Sequence, residues 1–116
     1  MDLQQFVEKL DNNNGYDFED TIAVIAANYD YTPTRFTNGD LVNDAGTNEG
    51  SCKIFAFAQI NQLSEQQTLN CFGRFYRNDV LENPQGSDHG NIRNFMVHGW
   101  SGISFGQAAL TAKSLT

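Results

Sequence analysis

The stretch Asn48-Glu49-Gly50-Ser51-Cys52-Lys53-Ile54-Phe55-Ala56-Phe57-Ala58 determines how the fold of this chain is interpreted. Its second half is apolar at every position, and a helix that is apolar on all sides is normally buried on all sides. The polar first half precedes this run and is expected to contain the start of the helix. We therefore predict a central, buried helix that begins near Asn48 to Ser51, with the other elements packed around it.

Two helices are predicted before this stretch. Apolar residues have helical spacing in residues 2–11, and the turn sequence Asn12-Asn13-Asn14-Gly15 should end that helix. Asp17 can cap a second helix over residues 18–29, because its carboxylate accepts hydrogen bonds from the free N–H groups of the first turn. Pro33 disfavours helical geometry in the residue before it, so the second helix should end before Pro33.

Two further helices are predicted after it. Ser64 and Gln67 have the spacing of a capping box, and the inner face of the helix that follows should carry Leu69, Phe72, Tyr76 and Val80. Ser87 or Asp88 can cap a fifth helix, whose apolar residues are Ile92, Phe95 and Met96. Gly99 should end that helix, since glycine accepts the left-handed backbone conformation found at such ends.

Short strands complete the predicted fold. Asn38-Gly39 suits the positive φ angles of a tight turn, which predicts a hairpin within residues 34–47. Residues 103–105 and 109–111 are predicted to form a second hairpin that can pair with the first. About five helices packed around a central buried helix, with a small antiparallel β-sheet, make an α+β fold. Residues 1–116 are expected to form a single domain with a frayed tail at 113–116.

The balance of charge argues against several classes of partner. Fourteen acidic and seven basic residues give a formal charge of −7, which repels nucleic acid and anionic lipid, and the basic residues are scattered. No apolar run is long enough to span a bilayer, and the N-terminal residues lack the pattern of an export signal. Cys52 and Cys71 are therefore expected to be reduced thiols, and the protein is expected to be cytoplasmic.

Familiar cofactor and metal motifs are missing from the sequence. It contains no glycine-rich phosphate loop, no GxGxxG and no CxxC. Asp11-Asn12-Asn13-Asn14-Gly15 resembles the start of a calcium loop, but Tyr16 occupies the position where the sharp bend needs glycine. We predict neither a cofactor nor a metal site.

Cys52 is the first candidate for a catalytic residue. In the first turn of a helix, the positive end of the helix dipole would stabilise a thiolate. His89 or His98 could then act as the base, with Asp88 or Asn91 orienting it, which would make the protein a thiol-dependent hydrolase or transferase. The alternative is a small buried cysteine that only packs against the phenylalanines after it. The sequence leaves open whether the protein is an enzyme.

Two dense polar stretches offer a binding site instead. Residues 49–53 and 88–93 each stand at a predicted helix start, where unpaired N–H groups favour a small anion or a carboxylate. The candidate binding residues are Glu49, Ser51, Lys53, Asn91 and Arg93. On this hypothesis the protein is a binding or regulatory domain with a small polar pocket, and its partner is an unknown small ligand or protein.

Several segments resemble one protein family, in order along the chain. These are Asn28-Tyr29-Asp30-Tyr31-Thr32-Pro33-Thr34, Phe36-Thr37-Asn38-Gly39, residues 48–58, Phe72-Gly73 with Tyr76-Arg77, and Asp88-His89-Gly90-Asn91-Ile92-Arg93-Asn94-Phe95 with Gly99-Trp100. Over about residues 18–110 the chain is similar to the HopJ family. The family is named for type III effector proteins, so the resemblance implies a bacterial protein. It also implies a third hypothesis, a host-directed interaction protein delivered through a type III system.

Overall fold

The computed structural model describes residues 3–11 and 16–113 of the chain. The turn predicted at residues 12–15 and the tail after Lys113 lie outside these residues. The fold is α+β, as predicted. The described residues form five α-helices, α1 (Leu3–Lys9), α2 (Phe18–Asn28), α3 (Glu49–Ile60), α4 (Glu65–Asn70) and α5 (Gly90–His98), a π-helix (Phe75–Val80), a 3-10 helix (Gly99–Gly102) and five strands, β1 (Tyr29–Tyr31), β2 (Phe36–Asn38), β3 (Leu41–Asn43), β4 (Ile103–Phe105) and β5 (Leu110–Ala112). None of the helices in this part of the chain is long and apolar enough to cross a bilayer.

Helix α2 begins where the sequence predicts. The Asp17 carboxylate accepts a hydrogen bond from the Phe18 N–H at 2.8 Å, and the Asp20 carboxylate accepts one from the Asp17 N–H at 2.7 Å, as part of a capping box. The helix ends before Pro33, as predicted. It stops at Asn28 because Tyr29 already has an extended backbone and begins β1. This strand has no counterpart among the predicted elements.

The predicted fourth helix is interrupted. Ser64 and Gln67 form the expected capping box, with the Gln67 N–H donating to Ser64 Oγ at 3.0 Å. Helix α4 ends at Asn70 and the π-helix begins at Phe75, because Gly73 between them has a φ of +59°. Glycine adopts that conformation readily, whereas other residues are strained in it. The four residues predicted for the inner face are nevertheless all buried: Leu69, Phe72, Tyr76 and Val80.

The strands form two antiparallel sheets. β2 lies between β3 and β4, so that Phe36 is opposite Asn43 on one side and opposite Phe105 on the other. The second sheet contains β1 and β5, with Tyr29 opposite Ala112. The hairpin predicted around Asn38-Gly39 is confirmed by the pairing of β2 with β3.

The second predicted hairpin is wrong. β4 and β5 lie close to the predicted positions, but they pair with β2 and β1 and not with each other. The chain between them passes from one sheet to the other: Gly106 donates to the Arg35 carbonyl at 3.0 Å, and the Ala109 carbonyl accepts from Thr32 at 2.8 Å. Because α2 ends at Asn28, β1 offers an unpaired edge that β5 can join.

Helix α3 contributes six buried residues: Cys52, Ile54, Phe55, Ala56, Phe57 and Ala58. Phe55 has no exposed surface, and its ring centroid lies 5.0 Å from that of Phe95, 5.6 Å from Phe72 and 6.4 Å from Trp100. These three partners come from α5, from the break after α4 and from the 3-10 helix. One side chain of α3 therefore joins three other parts of the fold through aromatic contacts, which are a large part of core energetics.

The start of helix α5 differs from the prediction. Its N-cap is His89, whose side chain makes no capping hydrogen bond, and neither Ser87 nor Asp88 caps the helix. The Asp88 carboxylate is engaged elsewhere, because it accepts a hydrogen bond from Arg93 Nη2 at 2.7 Å.

The rest of α5 follows the prediction in part. Ile92 and Phe95 are buried as expected, whereas Met96 is 46 % exposed. Met96 and Val97 lie on the side of the helix that faces away from the core. Gly99, with a φ of +61°, follows the last residue of the helix, as predicted.

Candidate functional site

The starts of α3 and α5 line one surface cavity of about 340 Å³. Residues of both polar stretches contribute to its lining: Gly50 and Ser51 from the first, preceded by Asn48, and His89, Gly90, Asn91 and Ile92 from the second. Three phenylalanines complete the lining, Phe18, Phe72 and Phe75. The volume lies at the lower end of the range found for small-molecule sites.

Both helices begin without a side-chain cap. The N-cap residues, Asn48 of α3 and His89 of α5, have left-handed backbones with φ of 49° and 51°, and neither side chain accepts a hydrogen bond from its helix. The Cys52 N–H donates to the Asn48 carbonyl and the Arg93 N–H donates to the His89 carbonyl. The N–H groups that precede Cys52 and Arg93 have no acceptor within their own helix. Two positive helix ends therefore border the same cavity.

A buried asparagine connects the two helix starts. Asn43 of β3 accepts hydrogen bonds at its Oδ1 from the Nδ2 groups of Asn48, at 2.7 Å, and Asn91, at 2.9 Å. Its own Nδ2 donates to Asn91 Oδ1 at 3.2 Å. Asn43 and Asn91 are both buried. The separation of the two positive helix ends is thus fixed through one amide side chain.

The β2–β3 hairpin extends this network. Asn38, at the turn of the hairpin, donates from Nδ2 to the Asn91 carbonyl at 2.8 Å, and Asn94 donates to the Asn38 carbonyl at 2.9 Å. Asn38 is fully buried, and its Oδ1 has no hydrogen-bond partner among residues 3–11 and 16–113. Since buried amides in a network rigidify their surroundings, the hairpin holds the start of α5 in place.

His89 is held on two sides by the π-helix. Its Nε2 lies 3.0 Å from Asp79 Oδ2, and its ring centroid lies 5.3 Å from that of Phe75 at an interplanar angle of 32°. Of the two groups expected to orient the imidazole, the Asp88 carboxylate is 4.0 Å away and the Asn91 amide is bound to Asn43. A carboxylate bound to one ring nitrogen fixes the orientation of the ring and leaves Nδ1 as the nitrogen that can meet a ligand.

Aromatic rings form the apolar part of the cavity lining. Phe18 and Phe75 pack edge to face with centroids 5.0 Å apart. Gly50 makes room for this arrangement, because a Cβ atom at Gly50 would lie 2.9 Å from Phe18 Cζ. The cavity therefore combines hydrogen-bond donors at the helix starts with an apolar surface.

Two of the five predicted binding residues line the cavity and three lie elsewhere. Ser51 and Asn91 are part of the lining. The Lys53 ammonium lies over the ring of Tyr31, 4.7 Å from its centroid. Glu49 also lies near Tyr31. The pKa of the Tyr31 phenol is raised mainly by burial and, to a smaller extent, by the Glu49 carboxylate.

Arg93 faces away from the cavity. Its guanidinium donates to the Asp88 carbonyl at 2.6 Å, to the Asn83 carbonyl at 3.0 Å and to the Asp88 carboxylate. It therefore clamps the loop before α5 onto the helix.

Cys52 lies in the first turns of α3, as predicted, but outside the cavity lining. It has no exposed surface, and its Sγ lies 3.7 Å from the Thr34 carbonyl oxygen. Burial raises the pKa of the thiol, although a hydrogen bond with Tyr31 lowers it in part. The helix dipole was expected to lower the pKa of Cys52. The pKa is raised instead, because removal from water disfavours the thiolate more strongly than the dipole favours it.

The two histidines have partners other than Cys52. His89 pairs with Asp79, and His98, the last residue of α5, packs its ring against Gly39 so closely that a Cβ atom there would collide with it. Cys71 is a free thiol buried in the core, and burial raises its pKa as well.

Several lining residues escape sequence reasoning. Phe18 and Phe72 have the spacing of core residues, and nothing in the pattern marks them as the wall of a cavity. Asp79 has no neighbouring signal either, because its pairing with His89 depends on how the π-helix packs against the start of α5. Within the described part of the chain, no group of three or more His, Cys, Asp or Glu side chains could hold a metal ion.

The sequence matches the model of a family described as HopJ type III effector protein over residues 3–110. The chain belongs to this family. The resemblance carried by the segments between residues 18 and 110 is thereby confirmed. No curated protein matches the sequence at a significant level.

The HopJ fold is also present in a crystal structure described as "Crystal structure of unknown function protein VPA0580". The two chains are 59 % identical, the match covers 97 % of this chain and 95 % of the other, and the TM-score is 0.94. The two proteins therefore share one fold along nearly their whole lengths, and the description of the second names no activity.

Proposed function

We propose that this HopJ protein is a binding domain for a small organic anion, which it holds in the cavity between the starts of α3 and α5. The observation that carries the proposal is that two uncapped helix N-termini border one cavity. Unpaired N–H groups and the positive dipole end together favour an anion at such a position.

The lining indicates which kind of anion fits best. Phe18, Phe72 and Phe75 offer apolar contact, so a carboxylate on an apolar or aromatic body uses both parts of the cavity. The whole chain carries a formal charge of −7, which opposes extended polyanions but is overcome locally by donors that touch the ligand. A single carboxylate is therefore favoured over a nucleic acid or a lipid surface.

The test is titration of the full chain with benzoate, monitored by two-dimensional amide NMR. The backbone N–H signals of Gly50, Ser51, Gly90 and Asn91 should shift and saturate. Benzamide and benzylamine are matched in size but lack the negative charge, and they should bind more weakly. Equal binding of all three compounds, or shifts that map away from these residues, would overturn the proposal.

A variant separates binding from folding. Ser51→Asp places a carboxylate in the first turn of α3, where a negative charge stabilises the helix by about 0.3–1 kcal/mol. The same carboxylate competes with the ligand for the helix N–H groups, so benzoate binding should be lost while stability is kept or raised. Ser104→Asp, an exposed position on β4, adds the same charge outside the cavity and should leave binding unchanged.

The thiol-dependent enzyme has less support. It requires an accessible thiolate and a nearby base, whereas Cys52 is fully buried with a raised pKa and the histidines are engaged elsewhere. It stays a prediction, and thiol labelling tests it directly.

Delivery into a host cell is a separate hypothesis that rests on the family description. A translocation reporter fused to the C-terminal end of the chain tests it, with a secretion-deficient strain as the control. Equal reporter signal from both strains would contradict delivery through a type III system, and the protein would then be expected to act in the bacterial cytoplasm.

A further inference from the structure

A second concave surface lies on the other side of α5. It is a groove of about 230 Å³ between the end of the π-helix, the loop that follows it and the outer face of α5, and we call it the α5 groove. Its apolar residues are Val80, Leu81, Pro84, Met96 and Val97. It shares no lining residue with the cavity between α3 and α5.

The walls of the α5 groove are unusually apolar for a surface. Val97 is 77 % exposed, Leu81 is 48 % exposed and Met96 is 46 % exposed, while Val80 is buried at the base. Exposed apolar groups that are scattered singly need no explanation, but a group of them around one groove is typical of an interaction surface. Methionine is common at such surfaces because its flexible side chain adapts to a partner.

The loop beside the groove is fixed by the clamp that Arg93 forms. Arg93 is part of the groove lining, and its hydrogen bonds to the Asp88 carbonyl and the Asn83 carbonyl, at 2.6 Å and 3.0 Å, tie the loop to α5. A partner would therefore meet a preformed surface, which reduces the cost of ordering it on binding.

The charges around the groove specify the chemistry of the partner. Glu82, next to Leu81, is exposed and makes no ion pair with a described residue, and its carboxylate accepts only from Asn78 at 2.6 Å. Asp79, one residue before Val80, adds a second partly exposed carboxylate, and its Oδ2 pairs with His89. The one basic residue in the lining is Arg93, and the Asp88 carboxylate already neutralises it. The rim is therefore acidic.

We infer that the α5 groove docks a basic amphipathic helix of a partner protein, with aliphatic residues in the groove and lysine or arginine at the acidic rim. A second copy of this chain is disfavoured, because each copy carries a formal charge of −7. An anionic membrane is disfavoured for the same reason. A helix is favoured because a short groove beside α5 accepts aliphatic residues at i, i+3, i+4 and i+7.

The test uses three synthetic peptides of about 15 residues and the full chain. The first has leucine at i, i+3, i+4 and i+7 with lysine elsewhere, the second replaces lysine by glutamate, and the third scrambles the order of the first. Only the first should bind, with amide shifts at Leu81, Met96 and Val97. Comparable binding of the scrambled peptide would show attraction by charge alone and would overturn the inference, as would binding of the glutamate peptide or shifts confined to another face.

A pair of variants sharpens the test. Val97→Asp makes the rim more acidic, so charge alone would strengthen binding of the lysine peptide, whereas loss of the apolar contact should weaken it by about fivefold to tenfold. Val42→Asp adds the same charge at another exposed valine, on β3, and should not weaken binding. Leu81→Asp, on the opposite wall, should repeat the effect of Val97→Asp. Unchanged or stronger binding by both groove variants would refute the inference.

Discussion

The Nε2 atom of His89 lies 3.0 Å from Oδ2 of Asp79, so the residue that begins α5 is paired with a side chain of the π-helix. Phe75, one turn earlier in the π-helix, packs against the same imidazole. Short π-helical segments occur frequently at functional sites. Here the segment supplies both an orienting carboxylate and an aromatic wall to one histidine at the edge of the cavity.

The coupling between Asp79 and His89 is measurable by a double-mutant cycle. Both side chains are partly exposed, so the pair should contribute up to about 1 kcal/mol. Asp79→Ala, His89→Ala and the double variant are compared with the unmodified chain by urea denaturation. Strictly additive effects of the two substitutions would mean that the pair contributes nothing to stability.

Gly73→Ala should destabilise the protein by at least about 2 kcal/mol, because two costs combine. The residue has a φ of +59°, and its new Cβ atom would collide with the Asp17 carboxylate and the Phe18 N–H at the start of α2. Gly46→Ala is the matched control: Gly46 also has a positive φ, +86°, but a Cβ atom there has no neighbour within 4 Å. Gly46→Ala should lower the free energy of unfolding by only about 1 kcal/mol. Equal losses for the two variants in urea denaturation would show that the contact with Asp17 is unimportant.

Asp17 should make stability depend on pH in the acid range. Hydrogen bonds from the Arg74 backbone N–H first, and then from Phe18 and the Arg74 side chain, hold the pKa of its carboxyl below the usual value of 3.8. Since the folded pKa is below the unfolded one, the stabilisation is complete above pH 3.8 and is lost as the pH falls through the folded pKa.

The measurement for Asp17 compares Asp17→Asn with the unmodified chain by urea denaturation from about pH 2.5 to about pH 6. The difference in free energy of unfolding should be constant at the upper end and shrink at the lower end. Asp30→Asn, at an exposed position of β1, is the control for the charge change. A difference that does not vary with pH would mean that the Asp17 carboxylate has the same pKa in the folded and unfolded chain.

Neither cysteine should react with a thiol reagent in the native state. Cys52 and Cys71 are both fully buried, and burial raises the pKa of both thiols, so reaction requires opening of the fold. Labelling should be slow at neutral pH and fast in urea, and Cys52→Ser and Cys71→Ser identify the two sites. Rapid labelling of Cys52 alone in the native protein would revive the thiol-dependent enzyme.

Asn43→Ala should lower the free energy of unfolding by about 1–3 kcal/mol, because it leaves Asn91 Nδ2 buried without its acceptor, while Asn91 Oδ1 keeps its bond from Asn38. Because Asn43 also binds Asn48, the variant should broaden the amide signals at the starts of both α3 and α5. Asn78→Ala is the control, since Asn78 is exposed and its side chain binds only Glu82 among the residues that the structure describes. Sharp, unshifted signals at both helix starts would show that Asn43 does not set their separation.

Local chemistry explains which parts of the fold the sequence predicts. The caps at Asp17 and Ser64 depend on residues three positions apart, so their patterns are readable in one dimension. The break at Gly73 and the left-handed N-cap at His89 depend on contacts with distant segments, and no local pattern reveals them. The pairing of β4 with the first hairpin was predicted, whereas the partner of β5 was missed, because β1 has only three residues and the first of them, Tyr29, was assigned to the second helix.

The residues of the candidate site also separate into those that a local sequence pattern predicts and those that it does not. Ser51 and Asn91 are found from sequence because polar residues at helix starts have a readable signature. The phenylalanines line the cavity only through packing, and Asp79 is connected to it only through its pairing with His89. Glu49, Lys53 and Arg93 have the right position along the chain, but their long side chains extend to partners outside the cavity.

The arrangement of the two sheets has a consequence for how the chain folds. β1 and β2 come early in the sequence, yet β5 and β4, which complete their sheets, come from near the end of the described residues. Helices can form while the chain is still being synthesised, but neither sheet can close until β4 and β5 have left the ribosome. Until then the edges of β1 and β2 stay exposed. The nascent chain is thus most prone to aggregation before β4 and β5 have emerged.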